Sequence, residues 1–418
     1  MVKNPNMLNN NSGNALISDS RREFLKLMSK SAAGVALLTG CAMSSAKDTS
    51  PLSVPLIQPQ ATNILPQQKR TTRDMSLEIK IGQMLMVGFR GLAITNHQDP
   101  IIQDIRDRHI GGVILFDHDV PQKRPVRNIQ SSSQVSNLVT ALQAYAEIPL
   151  LIGIDYEGGV ISRLKEQYGF PPTVSHQYLG RQNNPNLTYQ YASQMATTLA
   201  TMGINLNFAP VVDLNVNPHN PIIGKRERSF SADPNIVSSQ ALEFIKAHHQ
   251  HGVLCTLKHF PGHGSSTNDS HLGLVDVTDS WSESELIPYR NLIHTGQVDA
   301  IMTGHVFNKH LDPLYPATLS NKIITKLLRQ ELNYQGVVLS DDIQMRAIAH
   351  HYGLKMAVHK AIEAGVDIIL VGNNLDVFVE DIATKITNII KQLVADGTIS
   401  PARIDESYQR IQLLKSQI

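Results

Sequence analysis

Residues 253–271 read VLCTLKHFPGHGSSTNDSH. The first five, Val253-Leu254-Cys255-Thr256-Leu257, form an almost continuously apolar run. Such a run marks a strand covered on both faces, as in a parallel sheet, rather than a half-exposed strand of alternating polarity. Lys258 and His259 follow at once, and His263, Asp269 and His271 come after Pro261, Gly262 and Gly264. A buried strand that opens into a glycine-rich loop crowded with titratable side chains is a candidate site.

Seven further apolar runs match the first: Met84–Phe89, Gly112–Phe116, Leu150–Asp155, Leu206–Val212, Ala300–His305, Gly336–Asp341 and Val366–Gly372. Between them, apolar residues recur at spacings of three and four over 134–145, 187–202, 236–251, 283–295, 325–332 and 354–364, which predicts helices. Eight strand-helix repeats predict an α/β fold, a closed (β/α)8 TIM-like barrel in one domain spanning residues 74–418. An open doubly wound sheet is the alternative. Residues 375–394 and 401–414 complete the outer helical ring in this reading.

Chemistry in such barrels gathers at the carboxyl ends of the strands. Those ends carry Asp155-Tyr156-Glu157-Gly158-Gly159 with Arg163, Asp213 and Asn215 with Lys225-Arg226-Glu227-Arg228, Lys258-His259, His305, Ser340-Asp341-Asp342, and Asn373-Asn374.

Composition narrows the partners. A chain of 418 residues with 42% hydrophobic residues has material for one large core, and a net charge of +1 argues against nucleic acid or an anionic membrane surface as the main partner. The N-terminal 73 residues read differently. Ser20-Arg21-Arg22-Glu23-Phe24-Leu25-Lys26 precedes an apolar segment, 31–40, that is shorter than the roughly 20 residues a spanning helix needs. Residues 1–40 resemble a twin-arginine export signal, and Leu38-Thr39-Gly40-Cys41 resembles a lipoprotein processing site at which Cys41 becomes the lipidated N-terminus. The Ser-, Thr-, Pro- and Gln-rich residues 41–73 then form a tether. The expectation is an exported bacterial protein held at the periplasmic face of a membrane. Cys255 would be the only thiol left, so no intrachain disulfide is expected.

The motifs KHFPGHG-x4-DSH, Asp155-Tyr156-Glu157-Gly158-Gly159 with Arg163, Asn207-Phe208-Ala209-Pro210-Val211-Val212-Asp213, Glu227-Arg228-Ser229-Phe230 and Leu339-Ser340-Asp341-Asp342 with Met345 resemble those of glycoside hydrolase family 3. Within it they resemble the single-domain β-N-acetylglucosaminidase branch, over roughly residues 75–400. The resemblance implies that Asp341 is the nucleophile of a retaining hydrolysis and that His271, partnered by Asp269, is the general acid/base. It further implies that Asp155, Arg163, Arg228, Lys258 and His259 hold the non-reducing sugar. Met345 and His305 match without a clear role, and Asp342 is expected to be structural. The implied substrate is an oligosaccharide ending in N-acetylglucosamine, from wall fragments or chitin. The implied enzyme is a monomer without cofactor.

Other readings stay open at this level. His259, His263, His271 and Asp269 are residue types that ligate metals, although Pro261 and Gly262 forbid the helix on which a four-residue histidine spacing would suit zinc. A β-glucosidase or β-xylosidase, a phosphorylase of the same family, and a sugar-binding lipoprotein without turnover are the rivals. Val160 stands where the family commonly has arginine, and Lys225-Arg226 alters the loop before Glu227; both bear on the leaving-group side.

Overall fold

A computed structural model describes residues 75–418. The export signal, Cys41 and the tether fall outside the described residues. All eight apolar runs contain parallel strands: β1 (Leu85–Gly88), β2 (Gly112–Leu115), β3 (Leu151–Ile154), β4 (Leu206–Asn207), β5 (Leu254–Phe260), β6 (Ala300–Thr303), β7 (Val337–Leu339) and β8 (Ile369–Val371). They pair in the order β7-β6-β5-β4-β3-β2-β1-β8. The ring is joined between β7 and β8 by one bridge, Leu339 to Ile368, where the Ser340 amide donates to the Ile368 carbonyl at 3.0 Å. The fold is the (β/α)8 barrel expected from the sequence.

The strands are short because their ladders are interrupted, not because their runs end. Pro210 has no N–H, so β4 stops after two residues, yet Phe208 donates to the Ile154 carbonyl and Val212 to the Lys258 carbonyl beyond it. Helices follow the predicted periodicity with modest shifts of their ends. One differs more: a helical stretch beginning at Arg346 precedes the expected 354–364 helix, and Gly353, at φ 67° and ψ 164°, breaks the helical conformation between them. The stretch 375–381 is loop, and the helix begins at Ile382. Val87, Val113, Ile152, Leu206, Leu257, Ile301, Val338 and Ile369 are buried in one continuous core. Among the described residues no helix is long and apolar enough to cross a membrane.

Candidate active site

A cavity of about 330 Å³ opens at the carboxyl ends of the strands. That is near the lower end of the roughly 300–1,000 Å³ typical of small-molecule sites. Its lining includes Asp155, Arg163, Arg228, Lys258, His259, Asp269, His271 and Asp341, so every candidate site residue of the barrel faces one space.

Its floor is an ion-pair network. Lys258, at the end of β5, is almost fully buried and donates to Asp155 Oδ1 at 2.9 Å, with Glu157 Oε1 at 2.7 Å. Arg163 reaches Asp155 Oδ2 at 3.1 Å. Arg228 grips Glu157 in bidentate fashion, Nε to Oε2 at 2.8 Å and Nη2 to Oε1 at 2.7 Å, and its Nη1 donates to the Ile222 carbonyl at 3.1 Å. Burial alone would raise both carboxyls, but Lys258 and Arg163 hold Asp155, and Arg228 and Lys258 hold Glu157, well below the ordinary carboxylate range. Glu157, passed over as a site residue in the sequence, is thus the buried hub. The signal was there: Asp155 and Glu157 are two apart on an extended segment and share a face. Glu157→Gln leaves Lys258 and Arg228 buried with too little negative charge; it is expected to cost about 3–5 kcal/mol. Chemical denaturation would measure this, and an unchanged midpoint would show that the cations are satisfied without Glu157.

Asp213 is the second carboxylate whose place the sequence did not reveal. It accepts from His259 Nδ1 at 2.7 Å and from the His263 amide at 2.8 Å, which ties the end of β5 to the loop after β4. Arg228 Nη2 lies 3.2 Å from His259 Nε2 and can only donate, so the His259 proton sits on Nδ1.

The glycine-rich loop divides in two. Composition suggests a hinged connector over Pro261 to Asn268, but residues 261–266 are buried and only Thr267 and Asn268 are exposed. At Gly264 a Cβ would stand 1.7 Å from the Leu214 carbonyl oxygen, and Gly262 has φ 124°, so both positions require glycine. Asn220 Nδ2 donates to the His263 and Gly264 carbonyls at 2.8 and 3.1 Å. His263 is 2.7 Å from Ser266 Oγ and 3.3 Å from Ser270 Oγ, and burial lowers its pKa to about 4. It organises the loop. Among the described residues no group of three or more His, Cys, Asp and Glu side chains is placed to hold a metal ion.

Glu285 clamps the fixed half, accepting from the Gly264 amide at 2.9 Å. Burial, with a smaller push from Asp213, raises its carboxyl from 4.5 to about 7. A raised carboxyl pKa favours the protonated folded state. Its contribution is therefore fully present below about pH 4.5 and is lost as pH rises to about 7. Glu285→Gln, neutral throughout, is expected to gain up to about 3 kcal/mol on wild type between pH 4.5 and 7.5. Denaturation midpoints across that range would decide, and parallel curves would count against the clamp titrating.

The outer half of the loop carries the dyad. His271 Nδ1 is 2.8 Å from Asp269 Oδ1, which also accepts the His271 amide at 2.9 Å. The His271 side chain is half exposed. Burial would raise Asp269, but its bonds from His271 outweigh this and hold it low. Across the cavity, Asp341 caps β7 and its Oδ1 accepts the Asp342 amide at 2.8 Å. Burial would raise it too, yet His305, His259, His271 and that amide keep it below the usual carboxylate value and ionised. Asp342 behaves oppositely, raised by burial to about 7, and it also lines the cavity. His305 is buried behind, with Nδ1 2.8 Å from Thr318 Oγ1 and Nε2 2.9 Å from the Asp342 carbonyl, so it steadies the acidic turn. Met345 lines the wall. Val160 is exposed at a turn and is not among the lining residues, whereas Arg226 is.

A family model described as the glycosyl hydrolase family 3 N terminal domain matches residues 76–414. The chain belongs to glycosyl hydrolase family 3. It is a glycoside hydrolase, and similar proteins are beta-hexosaminidases. Beta-hexosaminidase A of Pseudoalteromonas piscicida is 35% identical over 69% of this chain and 52% of its own length, so the chain spans about half of that relative. Beta-hexosaminidase of Tolumonas auensis is 36% identical over 69% of this chain and 83% of its own. Among solved structures, a family 3 beta-N-acetylglucosaminidase from Paenibacillus sp. str. FPU-7 superposes with a TM-score of 0.75 at 37% identity, covering 82% of this chain and 62% of that one. A beta-N-acetylhexosaminidase from Beutenbergia cavernae reaches a TM-score of 0.73 at 27% identity, covering 82% and 99%.

Proposed function

We propose that this protein is an exo-acting, retaining β-N-acetylglucosaminidase that uses water as acceptor. The observation that carries the reading is the pairing of one ionised strand-end carboxylate, Asp341, with one histidine-carboxylate dyad, His271–Asp269, on the same monosaccharide-sized cavity. The beta-hexosaminidase relatives supply the sugar.

In this mechanism Asp155, Arg163, Arg228, Lys258 and His259 hold the terminal sugar, and charge-assisted hydrogen bonds from groups already locked together orient its hydroxyls. Asp341 attacks the anomeric carbon and forms a glycosyl ester as the bond to the leaving oxygen breaks. With Nδ1 committed to Asp269, His271 Nε2 gives its proton to that oxygen. It then takes a proton from water, whose oxygen attacks the same carbon and releases Asp341. Two inversions give net retention. Terminal N-acetylglucosamine on wall fragments or chitin oligosaccharides fits this chemistry.

The test is hydrolysis of a chromogenic β-N-acetylglucosaminide, with and without inorganic phosphate. Released N-acetylglucosamine of β configuration, indifferent to phosphate and to chelator, is the expected result. Sugar 1-phosphate would instead identify a phosphorylase, faster β-glucoside or β-xyloside cleavage another sugar specificity, and binding without turnover a sugar-binding protein. Export and anchoring through Cys41 are part of the proposal; Cys41→Ser is expected to move the protein from the membrane to the soluble fraction.

A further inference from the structure

A second cavity, of about 580 Å³, adjoins the first and shares His118 and Val120 with it. Its other lining residues are Asp117, Lys123, Arg124, Pro125, Lys165, Gln167 and Tyr168. Three cations therefore face it against one carboxylate, in a chain whose net charge is only +1.

That carboxylate is spent. Asp117 is buried against Lys165 Nζ, with Arg163 Nη1 at 3.5 Å and His118 Nδ1 at 3.6 Å. Asp119 is not among the lining residues and pairs with Arg90 at 2.6 Å and Arg127 at 3.2 Å. Lys123 and Arg124 have no carboxylate partner within 4 Å among the described residues, and both are exposed.

The walls are built. Asp119 and Arg124 exchange backbone hydrogen bonds at 3.0 and 3.1 Å, and the Gln122 amide donates to Asp119 Oδ1 at 2.9 Å, so the turn that presents Lys123 and Arg124 is fixed. Tyr168 donates to the Pro125 carbonyl at 2.8 Å and ties the opposite wall to that turn. The Val120 amide donates to Asn374 Oδ1 at 3.0 Å, and Asn374 itself lines the first cavity.

We propose that this second cavity is an anion-binding annex of the catalytic site, which takes a carboxylate or phosphate carried by the aglycone while the terminal sugar occupies the first cavity. The inference rests on the glycosidase reading above and gives it a substrate class: glycosides whose leaving group is acidic. Lys123 and Arg124 supply the attraction. Asp117 keeps Lys165 and Arg163 in place, so the annex can be altered at Lys123 and Arg124 without disturbing Asp155.

The experiment compares wild type with the Lys123→Gln/Arg124→Gln double variant, as full-length proteins. Three aryl β-N-acetylglucosaminides serve as substrates, with a carboxylate, a phosphate or a carboxamide on the ring. Leaving-group reactivity cancels, because each substrate is compared with itself. The double variant is expected to lose about tenfold in kcat/KM on the charged substrates and less than twofold on the carboxamide. Unequal losses on carboxylate and phosphate tell which anion the annex prefers. Wild type is expected to lose its advantage for the charged substrates at 0.5 M salt, where exposed charges are screened. Equal losses on all three, or none on any, together with salt-independence of the wild-type preference, would overturn the annex. Failure of wild type to cleave any of the three would instead overturn the glycosidase reading.

Discussion

Asp341→Ala is expected to lower kcat by about 10⁴-fold or more while leaving the fold intact. The position of the carboxylate is set by the barrel: Ser340, one residue earlier, donates its amide to the Ile368 carbonyl just before β8, and its hydroxyl accepts from the Leu370 amide at 2.9 Å. Its charge is sustained by His305, His259 and His271 against the cost of burial. In the proposed mechanism, removing it deletes the group that forms the covalent ester. The structural cost is small, because Asp341 accepts one backbone bond, from Asp342, at a position that faces the cavity. The space left behind admits a small anion, so azide is expected to restore turnover of an activated aryl glycoside and to yield the glycosyl azide of opposite anomeric configuration. Turnover near the wild-type rate without azide would remove Asp341 from this role.

The effect of His271→Ala is expected to depend on the leaving group. For sugar or alkyl aglycones, whose departing oxygen needs a proton, kcat/KM should fall about 10²- to 10⁴-fold. For an aryl aglycone that leaves as a stable anion, kcat/KM should stay close to wild type while kcat drops, because water in the second step has lost its base. The dyad is local: Asp269 and His271 meet through two bonds within one turn of an exposed loop. Little else depends on it, so the loss should be chemical and not structural. An equal fall for both kinds of substrate would reduce His271 to a residue that places the loop.

The barrel was legible because parallel strands buried on both faces leave unbroken apolar runs, and all eight runs held strands. Their ends were not, since ladders stop at Pro210 for want of a donor and a further helical stretch from Arg346 precedes the break at Gly353. The candidate site residues Asp155, Arg163, Arg228, Lys258, His259, Asp269, His271 and Asp341 do line one cavity. What no local pattern could supply is which charges meet. Glu157 and Arg228 are 71 residues apart, and Asp213 and His259 are 46 apart, so each pair exists only once the ring has closed. Composition misled in the glycine-rich loop: Gly262 and Gly264 suggest freedom, but there they permit contacts so close that residues 261–266 are held fast.

The bridge between Leu339 and Ile368 lies one residue below Ser340 and two below Asp341. Synthesis delivers β8 last of the strands, more than 360 residues into the chain. Every side chain proposed to hold the sugar, and the loop proposed to transfer the proton, has by then left the ribosome, but the acidic turn has no neighbour on its open side until β8 docks. In the proposed mechanism the final strand is therefore what completes the surroundings of Asp341. Recovery of catalysis during refolding should lag behind recovery of helical signal, and a nascent chain lacking β8 is expected to cut no glycoside although it holds a nearly complete set of candidate site residues.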